Sequence, residues 1–337
     1  MATDGILGFG QSGTSVISQL ASAKKARKIF AHCLDSQHGG IFAIGNVVQP
    51  KVQTTPIVPN QSHYNINLEN IQVGKDKITG DDLGSQAVID SGTTLAYLPQ
   101  KLYDPLISKE YELCIGWQNS AVLSKEVNTL TILGGSSNIE IEDDQSGSSY
   151  QVASVKLSSS AETLFSGRAA VGVGLQRTIR EIKRHDIRRH GRSLAGIDLP
   201  LGGDGRPTDS GLYYTKIGIG TPSNDYYVHV DTGSDIFWVN CIECKQCPKK
   251  SDLGIELRLY NPHTSSTGQT VGCDDQFCQT LAQGPVPNCS PGALCEYVMK
   301  YGDGSATGGY VVKDVINYDQ VSGNLQTTKG NASVTFG

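Results

Sequence analysis

Two short segments set an aspartate in the same local pattern, so carboxylic acid chemistry is the first that this sequence offers. Asp231 lies in the segment Val228–Trp238, and Asp90 lies in the segment Ala87–Tyr97. In each segment an apolar run predicts a strand that delivers the aspartate into a turn that a glycine permits, and a second apolar run follows. The turn residues that we expect to support the two aspartates are Thr232, Gly233, Ser91 and Gly92.

Two such turns facing each other would bring two carboxyl groups into one site. Because like charges that close cannot both ionise easily, the pair would share one proton over a wide acidic range. One carboxylate could then deprotonate a water molecule while the other protonates a carbonyl group under attack. A single turn of this type is weak support for catalysis because such turns are common on protein surfaces, but two copies with matched apolar flanks are far more specific.

The elements that must position these turns are predicted to be mainly short strands. Gly40–Gly45, His63–Leu68 and Gln86–Asp90 are apolar runs bounded by turn residues, as is typical of strands. A helix is predicted over Ser15–Lys28, because its apolar side chains recur at helical spacing. The residues that share this helical face are Val16, Ile17, Leu20 and Ala23.

Five further motifs, together with the two aspartate turns, resemble the pepsin-like aspartic proteases, and specifically their plant, nepenthesin-like branch. Gly211–Pro222 is similar to the first strand pair of that family, and Tyr301–Ser305 is similar to its flap. Trp238 falls where the family has a tryptophan that hydrogen-bonds the flap tyrosine. Ile6–Gly8 and Ile132–Gly134 resemble the segment that each lobe threads beneath its catalytic loop. The resemblance covers most of the chain.

The resemblance implies an all-β, bilobal pepsin-like acid protease fold and an aspartic-type endopeptidase that hydrolyses peptide bonds with an activated water. It makes Asp231 and Asp90 the catalytic pair. It also assigns Tyr301 and Gly302 to the flap over a peptide or protein substrate, with Trp238 as their support. It implies no metal and no cofactor, and we expect a monomer.

The motifs occur in an order that departs from the family, and the family order returns only when the chain is read cyclically from residue 211. Either a circular permutation, or the tail of one protease gene joined to the head of a tandem neighbour, explains this order. The predicted parts are the end of an N-terminal-lobe-like segment (1–38), an incomplete C-terminal catalytic lobe (39–135), a polar linker (136–176), a basic pro-segment-like stretch (177–210) and an N-terminal catalytic lobe with the flap (211–337). A pro-segment-like stretch inside the chain favours the gene fusion.

The second lobe is predicted to be partly truncated, because 42 residues separate Asp90 from Ile132, fewer than a complete lobe of the family needs. Missing strands would leave unpaired sheet edges and an incomplete core. An alternative function is therefore a catalytically impaired protease remnant that acts as a peptide- or protein-binding module. A third interpretation is a gene-prediction artefact whose product never accumulates.

The amino-acid composition limits the classes of protein to which this chain can belong. The chain has 337 residues, of which 38% are hydrophobic and 18% charged, a composition typical of two globular domains and unlike that of a disordered chain. Twenty-eight basic against 33 acidic residues give a net charge of −5, which argues against a nucleic-acid-binding platform. The most apolar candidate for a membrane span, Gly5–Ala23, is diluted by polar residues.

Nine cysteines are an odd number, so at least one thiol lacks an intramolecular partner. Cys241, Cys244 and Cys247 could suggest a metal site with His263, but a second ligand pair at metal-binding spacing is missing. The resemblance implies that Cys241 pairs with Cys244. It implies that four later cysteines form bridges among themselves: Cys273, Cys278, Cys289 and Cys295. It also implies that three cysteines have lost their partners: Cys33, Cys114 and Cys247.

The family is secretory, whereas Met1–Gly10 has no signal peptide pattern, so a secretory or extracellular location is an expectation from the resemblance alone. Asn60, Asn288 and Asn331 begin possible glycosylation sequons. The basic run 177–192, with a net charge of +5, is either a solvated helix face or the pro-segment of a zymogen. His229, inside the run before Asp231, is interpreted as a structural strand histidine.

Overall fold

The computed structural model describes residues 3–35, 39–45, 54–68, 72–73, 76–77, 86–93, 97–98, 104, 130–132, 138–143, 150–153, 196–203, 212–245, 247–251, 254–302, 304–321 and 327–337. Almost all of the regular structure is strand, which confirms the predicted all-β pepsin-like fold. The strands are β1 Gly5–Gly8, β2 Ile29–Asp35, β3 Gly39–Ile44, β4 Thr54–Pro56, β5 Asn65–Asn67, β6 Gln72–Val73, β7 Asp76–Lys77, β8 Gln86–Ile89, β9 Leu130–Ile132, β10 Asn138–Asp143, β11 Tyr150–Ala153, β12 Gly196–Gly203, β13 Tyr213–Ile219, β14 Asn224–Asp231, β15 Trp238–Val239, β16 Gln269–Thr270, β17 Glu296–Lys300, β18 Ala306–Tyr310, β19 Val312–Val321 and β20 Thr327–Phe336.

The largest sheet has 13 strands in the part of the chain that the structure describes. Its order is β15-β1-β14-β13-β19-β12-β3-β2-β10-β11-β4, and β16 and β20 both pair with β19. A three-stranded sheet has the order β5-β8-β9, and β17 with β18 forms a separate hairpin. The strands that precede the two aspartates, β14 and β8, therefore belong to different sheets.

Strand β1 is fixed at its start by a buried carboxylate. Asp4 accepts hydrogen bonds from the backbone N–H of Tyr227 at 2.7 Å and of Arg258 at 2.6 Å. Its own backbone N–H donates to the carbonyl of Tyr227 at 2.8 Å, and its carbonyl accepts from Asn240 N–H at 2.7 Å. Because these bonds reach both neighbours of β1, they hold the strand between β14 and β15.

The helices with described bounds are α1 Val16–Ser22, α2 Gln276–Leu281 and a 3₁₀ helix over Pro262–Thr264. Helix α1 begins where the sequence predicts, because the Ser15 side chain accepts a hydrogen bond from Ser18 N–H as an N-cap. The predicted end at Lys28 is wrong. The helix ends at Ser22 with Ala23 as its C-cap, and Lys24 follows in a left-handed backbone with φ +55°.

Aromatic side chains from β2, β3 and the segments next to β1 and β5 form one cluster of the main core. The rings of Phe9 and Phe42 lie 4.3 Å apart, Phe30 stacks on Phe42 at 5.0 Å, and Tyr64 meets Phe30 edge-on at 5.4 Å. All four side chains are buried. Since aromatic pairs add directional contacts to apolar burial, this cluster fixes the orientation of the rings as well as excluding water.

Three strands lie in stretches that the sequence assigns to a linker or a pro-segment. Strands β10 and β11 fall within 136–176, where β10 pairs antiparallel with β2 and with β11. Strand β12 falls within 177–210 and pairs with β3, β13 and β19. Its burial alternates, with Ile197, Leu199 and Leu201 buried, so the strand contributes to the main core. The domain boundaries, the permuted order and the truncation stay predictions.

Candidate active site

Asp231 is the last residue of β14, and its carboxylate is held by the turn that follows. Oδ1 accepts a hydrogen bond from Gly233 N–H at 2.8 Å, and Oδ2 accepts a short one from the Ser234 hydroxyl. The side chain is buried. Two donors on an otherwise buried carboxylate compensate part of the cost of removing it from water.

Asp90 follows β8 directly and is held in the same way. Its Oδ1 accepts from Gly92 N–H at 2.7 Å, and its Oδ2 accepts from the Thr93 hydroxyl at 2.5 Å. The residues two and three positions after each aspartate therefore supply equivalent donors. The repeat that the sequence shows is thus a repeat of hydrogen-bonding geometry.

A parallel strand supports each aspartate. In the main sheet β1 runs parallel to β14, with Gly8 beside Asp231, and Phe9 N–H donates to the carbonyl of Asp231 at 2.8 Å. In the smaller sheet β9 runs parallel to β8, with Ile132 beside Ile89. The expected threading of Ile6–Gly8 is therefore present. On the other side it is described as far as Ile132, with 133–134 outside the described residues.

The two turns are joined by four reciprocal hydrogen bonds. Ser91 N–H donates to the Thr232 hydroxyl at 2.9 Å, and Thr232 N–H donates to the Ser91 hydroxyl at 3.2 Å. The Ser91 hydroxyl also donates to the carbonyl of Val230 at 2.8 Å, and the Thr232 hydroxyl donates to that of Ile89 at 3.2 Å. Each hydroxyl thus bridges to the strand that carries the opposite aspartate.

Glycine is required at the third position of each turn because the opposite carboxyl group lies against it. A Cβ on Gly92 would lie 2.1 Å from Asp231 Oδ1, and a Cβ on Gly233 would lie 2.4 Å from Asp90 Oδ2. Any side chain there would collide with a carboxylate that the turns hold in place. The structure therefore brings the two aspartates face to face.

The proximity of the two carboxyl groups changes their acidity. Burial, together with the negative charge of Asp231, raises the pKa of Asp90 to about 6. A hydrogen bond between the two carboxyl groups raises it further, while the Thr93 and Gly92 donors oppose the shift. The pair therefore holds a proton at pH values where an isolated aspartate would be ionised.

The hairpin β17–β18 ends in the predicted flap. Tyr301 N–H donates to the carbonyl of Ser305 at 2.9 Å and closes the hairpin, while Gly302 is exposed. Trp238 Nε1–H donates to the Tyr301 hydroxyl at 2.6 Å. Burial raises the pKa of Tyr301, and the negative charge of Asp231 adds to the shift.

His229 lies two residues before Asp231 and is buried, as a structural strand histidine would be. Its imidazole hydrogen-bonds the backbone of Ser91, while its Nε2 has no hydrogen-bond partner among the residues that the structure describes. Burial lowers the pKa of His229 to about 4, against the opposing effects of the Asp90 charge and the Ser91 bond.

Comparison with known proteins agrees with this geometry. A family profile described as "Xylanase inhibitor N-terminal" matches residues 1–46 and 213–337, together just over half of the chain. Aspartic proteinase 36 of Arabidopsis thaliana is 51% identical over 164 residues, which cover 49% of this chain and 34% of that protein. Aspartic proteinase nepenthesin-2 of Nepenthes gracilis is 34% identical over 149 residues, which cover 42% of this chain and 31% of that protein. This chain belongs to the plant pepsin-like aspartic protease family.

The two ranges that match the family profile meet in the main sheet, where β1 from the first lies between β14 and β15 from the second. The chain spans about a third of the length of the curated relatives it matches. Conglutin gamma, a basic 7S globulin from lupine seeds, is 16% identical with a TM-score of 0.26 over 41% of this chain and 34% of that one. A likeness so slight carries no argument.

The cysteines of this family member pair partly as expected. Cys273 is bonded to Cys289 and Cys278 to Cys295, so the four later cysteines do pair among themselves. The expected bridge near residue 241 is wrong, because Cys244 is bonded to Cys247 and Cys241 keeps a free thiol.

The physical reason for this difference lies in the local backbone. Cys241 forms a β-bridge with Tyr260, and its thiol hydrogen-bonds Glu243, while Cys244 and Cys247 have Cα atoms 5.7 Å apart, a disulfide distance. The disulfide also occupies two of the three thiols that a metal site would need. Within the described ranges no group of three or more His, Cys, Asp or Glu side chains could hold a metal ion. The side chain of Cys33, and Cys114 altogether, lie outside the described residues.

Sequence reasoning missed three residues that shape the site. Ser234 and Thr93 donate to the aspartates, and the repeat itself could have revealed them, since a hydroxyl follows each glycine. The Asp235 carboxylate accepts a hydrogen bond from Ser12 N–H at 2.9 Å and so holds the loop after β1 against the turn that follows Asp231. Nothing in the local pattern marks that contact, because the partners are 223 residues apart.

Proposed function

We propose that this chain is an aspartic endopeptidase that hydrolyses peptide bonds with a water molecule activated between Asp231 and Asp90. The observation that supports this proposal is the reciprocal bonding of Ser91 and Thr232, which holds the two carboxyl groups face to face. The names of the relatives point the same way, but those proteins are about three times as long as the matched part of this chain.

The mechanism follows from a pair of carboxyl groups that shares one proton. The ionised carboxylate takes a proton from the water, whose oxygen attacks the carbonyl carbon of the peptide. The protonated carboxyl group donates its proton to the carbonyl oxygen. When the C–N bond breaks, the amine nitrogen leaves with the proton that the dyad took from water, and a hydroxyl of the tetrahedral diol returns a proton to the dyad as the carboxyl product forms. The raised pKa of Asp90 suits it to the protonated role.

The flap would bind the substrate over this pair. Tyr301 lies at the tip of the hairpin, and its hydroxyl is oriented by Trp238. A peptide lying between the flap and the carboxyl groups would exclude water from the site, which strengthens each polar interaction there.

The test is cleavage of an unfolded protein substrate in the acid range. We expect Asp231→Asn and Asp90→Asn each to abolish cleavage, and a statine-type transition-state analogue to block the unchanged chain. Asp225→Asn is the control, because Asp225 is exposed and forms a surface ion pair with Lys216. Residual activity in Asp90→Asn would refute the dyad, and binding of the analogue without cleavage would favour the alternative of a peptide-binding remnant.

A secretory or extracellular location is part of this proposal. The described residues contain three disulfides, which persist in oxidising compartments. Asn60, Asn288 and Asn331 are all exposed, as glycosylation requires. No helix in the described part of the chain has the length and apolar character to cross a membrane. Mass shifts on deglycosylation of the chain expressed with an added signal sequence, and its size by chromatography, test the glycans and the expected monomer.

A further inference from the structure

Tyr64 connects the backbones that carry the two aspartates. It immediately precedes the strand β5 and is 2% exposed. Its hydroxyl donates to the carbonyl of Phe9 at 2.7 Å, and its own carbonyl accepts from Ile89 N–H at 3.0 Å. One residue therefore bonds to the segment after β1 with its side chain and to β8 with its backbone.

Each of these partners lies next to a catalytic loop. Phe9 N–H donates to the carbonyl of Asp231 at 2.8 Å, and Ile89 immediately precedes Asp90. A path of three buried hydrogen bonds thus runs from Asp231 through Phe9, Tyr64 and Ile89 to the second aspartate.

The ring of Tyr64 is rigidly held. It meets Phe30 edge-on at 5.4 Å within the buried aromatic cluster, so the hydroxyl has little freedom to follow a moving partner. A second bond joins the same two segments, because Gln11 Nε2–H donates to the carbonyl of His63 at 2.6 Å. That contact is exposed, whereas the Tyr64 bond is buried and so is shielded from competing water.

Resting on the proposed function, we propose that Tyr64 is a positioning residue that sets the spacing of the two catalytic aspartates. The four bonds of Ser91 and Thr232 join the two loops in the immediate vicinity of the aspartates, and attachment at this one place would let the loops pivot. The hydrogen bonds through Tyr64 join the same two loops at a second place, through β8 before Asp90 and through the segment after β1 beside Asp231. Two separate attachments fix both the distance and the relative orientation of the carboxyl groups.

The direct test is Tyr64→Phe in the full chain, which removes the hydroxyl and keeps the ring. We expect kcat to fall by about tenfold while KM changes by less than about twofold, because the carboxyl groups lose alignment and the flap is unchanged. The two limbs of the pH profile should move towards each other, because the carboxyl groups interact less strongly.

The matched control is Tyr318→Phe. Tyr318 is also buried, and its hydroxyl donates to a backbone carbonyl, that of Asn331, at 3.3 Å between β19 and β20, strands without a catalytic residue. A merely structural loss should lower the stability of both variants and leave the pH profile unchanged in both. Equal kcat and equal pH profiles in Tyr64→Phe and Tyr318→Phe would overturn the inference.

A measurement without substrate separates this inference from the proposed function. Carbon-13 NMR titration of the aspartate carboxyl groups should show the Asp90 titration shifting towards lower pH in Tyr64→Phe and not in Tyr318→Phe. If the unchanged chain cleaves nothing and this shift occurs, the proposed function is wrong and the positioning role stands. If the shift is missing, the positioning role is wrong whatever the activity.

Amide hydrogen exchange on the unchanged chain tests the inference even if the Tyr64→Phe variant does not fold. In the unchanged chain, the N–H groups of Phe9 and Ile89 should be among the slowest to exchange with deuterium, because both donate into the path through Tyr64. Rapid exchange at either amide would show that the path does not form in solution and would overturn the inference.

Discussion

His32 offers a separate test of how this fold responds to acid. It lies in β2, is 4% exposed, and pairs in register with Phe42 and Ile139, with its ring 6.2 Å from that of Phe42. Its Nδ1 has no hydrogen-bond partner among the residues that the structure describes. Replacing it with leucine removes both a polar atom and a proton-binding group from an apolar setting.

The magnitude follows from the pKa of the imidazole. Burial lowers the pKa of His32 from 6.5 to about 4, so the folded chain binds fewer protons than the unfolded chain between those values. The stabilising contribution of the neutral His32 imidazole is therefore fully present above pH 6.5 and is lost as the pH falls towards 4. At about 1.4 kcal/mol for each pKa unit, the free energy of unfolding decreases by about 3 kcal/mol on this account.

The assay is urea unfolding of the unchanged chain and of His32→Leu at several pH values from about 7 to about 4. Near neutral pH we expect His32→Leu to be as stable as the unchanged chain or slightly more so, because an unsatisfied buried polar atom is removed. Towards pH 4 the free energy of unfolding of His32→Leu should exceed that of the unchanged chain by about 3 kcal/mol more than it does near neutral pH. His263→Leu, at an exposed position, controls for the loss of an imidazole. Parallel loss of stability in the unchanged chain and His32→Leu would refute the reasoning.

Three other changes test the site. Asp90→Asn should raise the free energy of unfolding near pH 7 by up to about 3 kcal/mol in urea titrations, because burial and Asp231 raise the pKa of Asp90 to about 6 and its ionised form destabilises the fold. Thr232→Val should lower it by about 1–3 kcal/mol, because Ser91 N–H loses its buried acceptor. Trp238→Phe should lower kcat/KM in peptide cleavage by about fivefold, equivalent to about 1 kcal/mol, because the Tyr301 hydroxyl loses its donor.

The pairing of the two aspartates could be predicted from the sequence because the signal is local and occurs twice. In each turn the glycine N–H and the hydroxyl that follows it donate to an aspartate no more than three residues earlier in the chain. These contacts therefore follow directly from the order of the residues in the sequence. Tyr64 could not be found that way. Its hydroxyl bonds to a residue 55 positions away, and that contact exists only once the strands have paired.

The structure adds to or differs from the sequence-based expectations where local and tertiary signals compete. The apolar spacing after Ser15 continues beyond Ser22, but the left-handed backbone at Lys24 ends the helix. The stretch 136–176 is polar overall, yet Ile139 and Ile141 alternate with acidic residues in β10, a strand pattern that the average composition hides. Disulfide pairing near residue 241 depends on backbone turns that cysteine spacing alone does not specify.

The dyad and the buried histidines respond to acid in opposite directions. Asp90 contributes stability that is lost as the pH rises from 3.8 to about 6, whereas His32 and His229 contribute stability that is lost as the pH falls from 6.5 to about 4. The combined shift of the two histidines exceeds that of Asp90, so these three groups taken together destabilise the fold as the pH falls from 6.5 to about 4. His229 hydrogen-bonds the backbone of Ser91, which lies in the turn after Asp90. His32 lies in β2, which pairs with β3 and β10 and not with the strands that lead to the two aspartates, so it is a position at which tolerance of acid can be changed without changing the dyad.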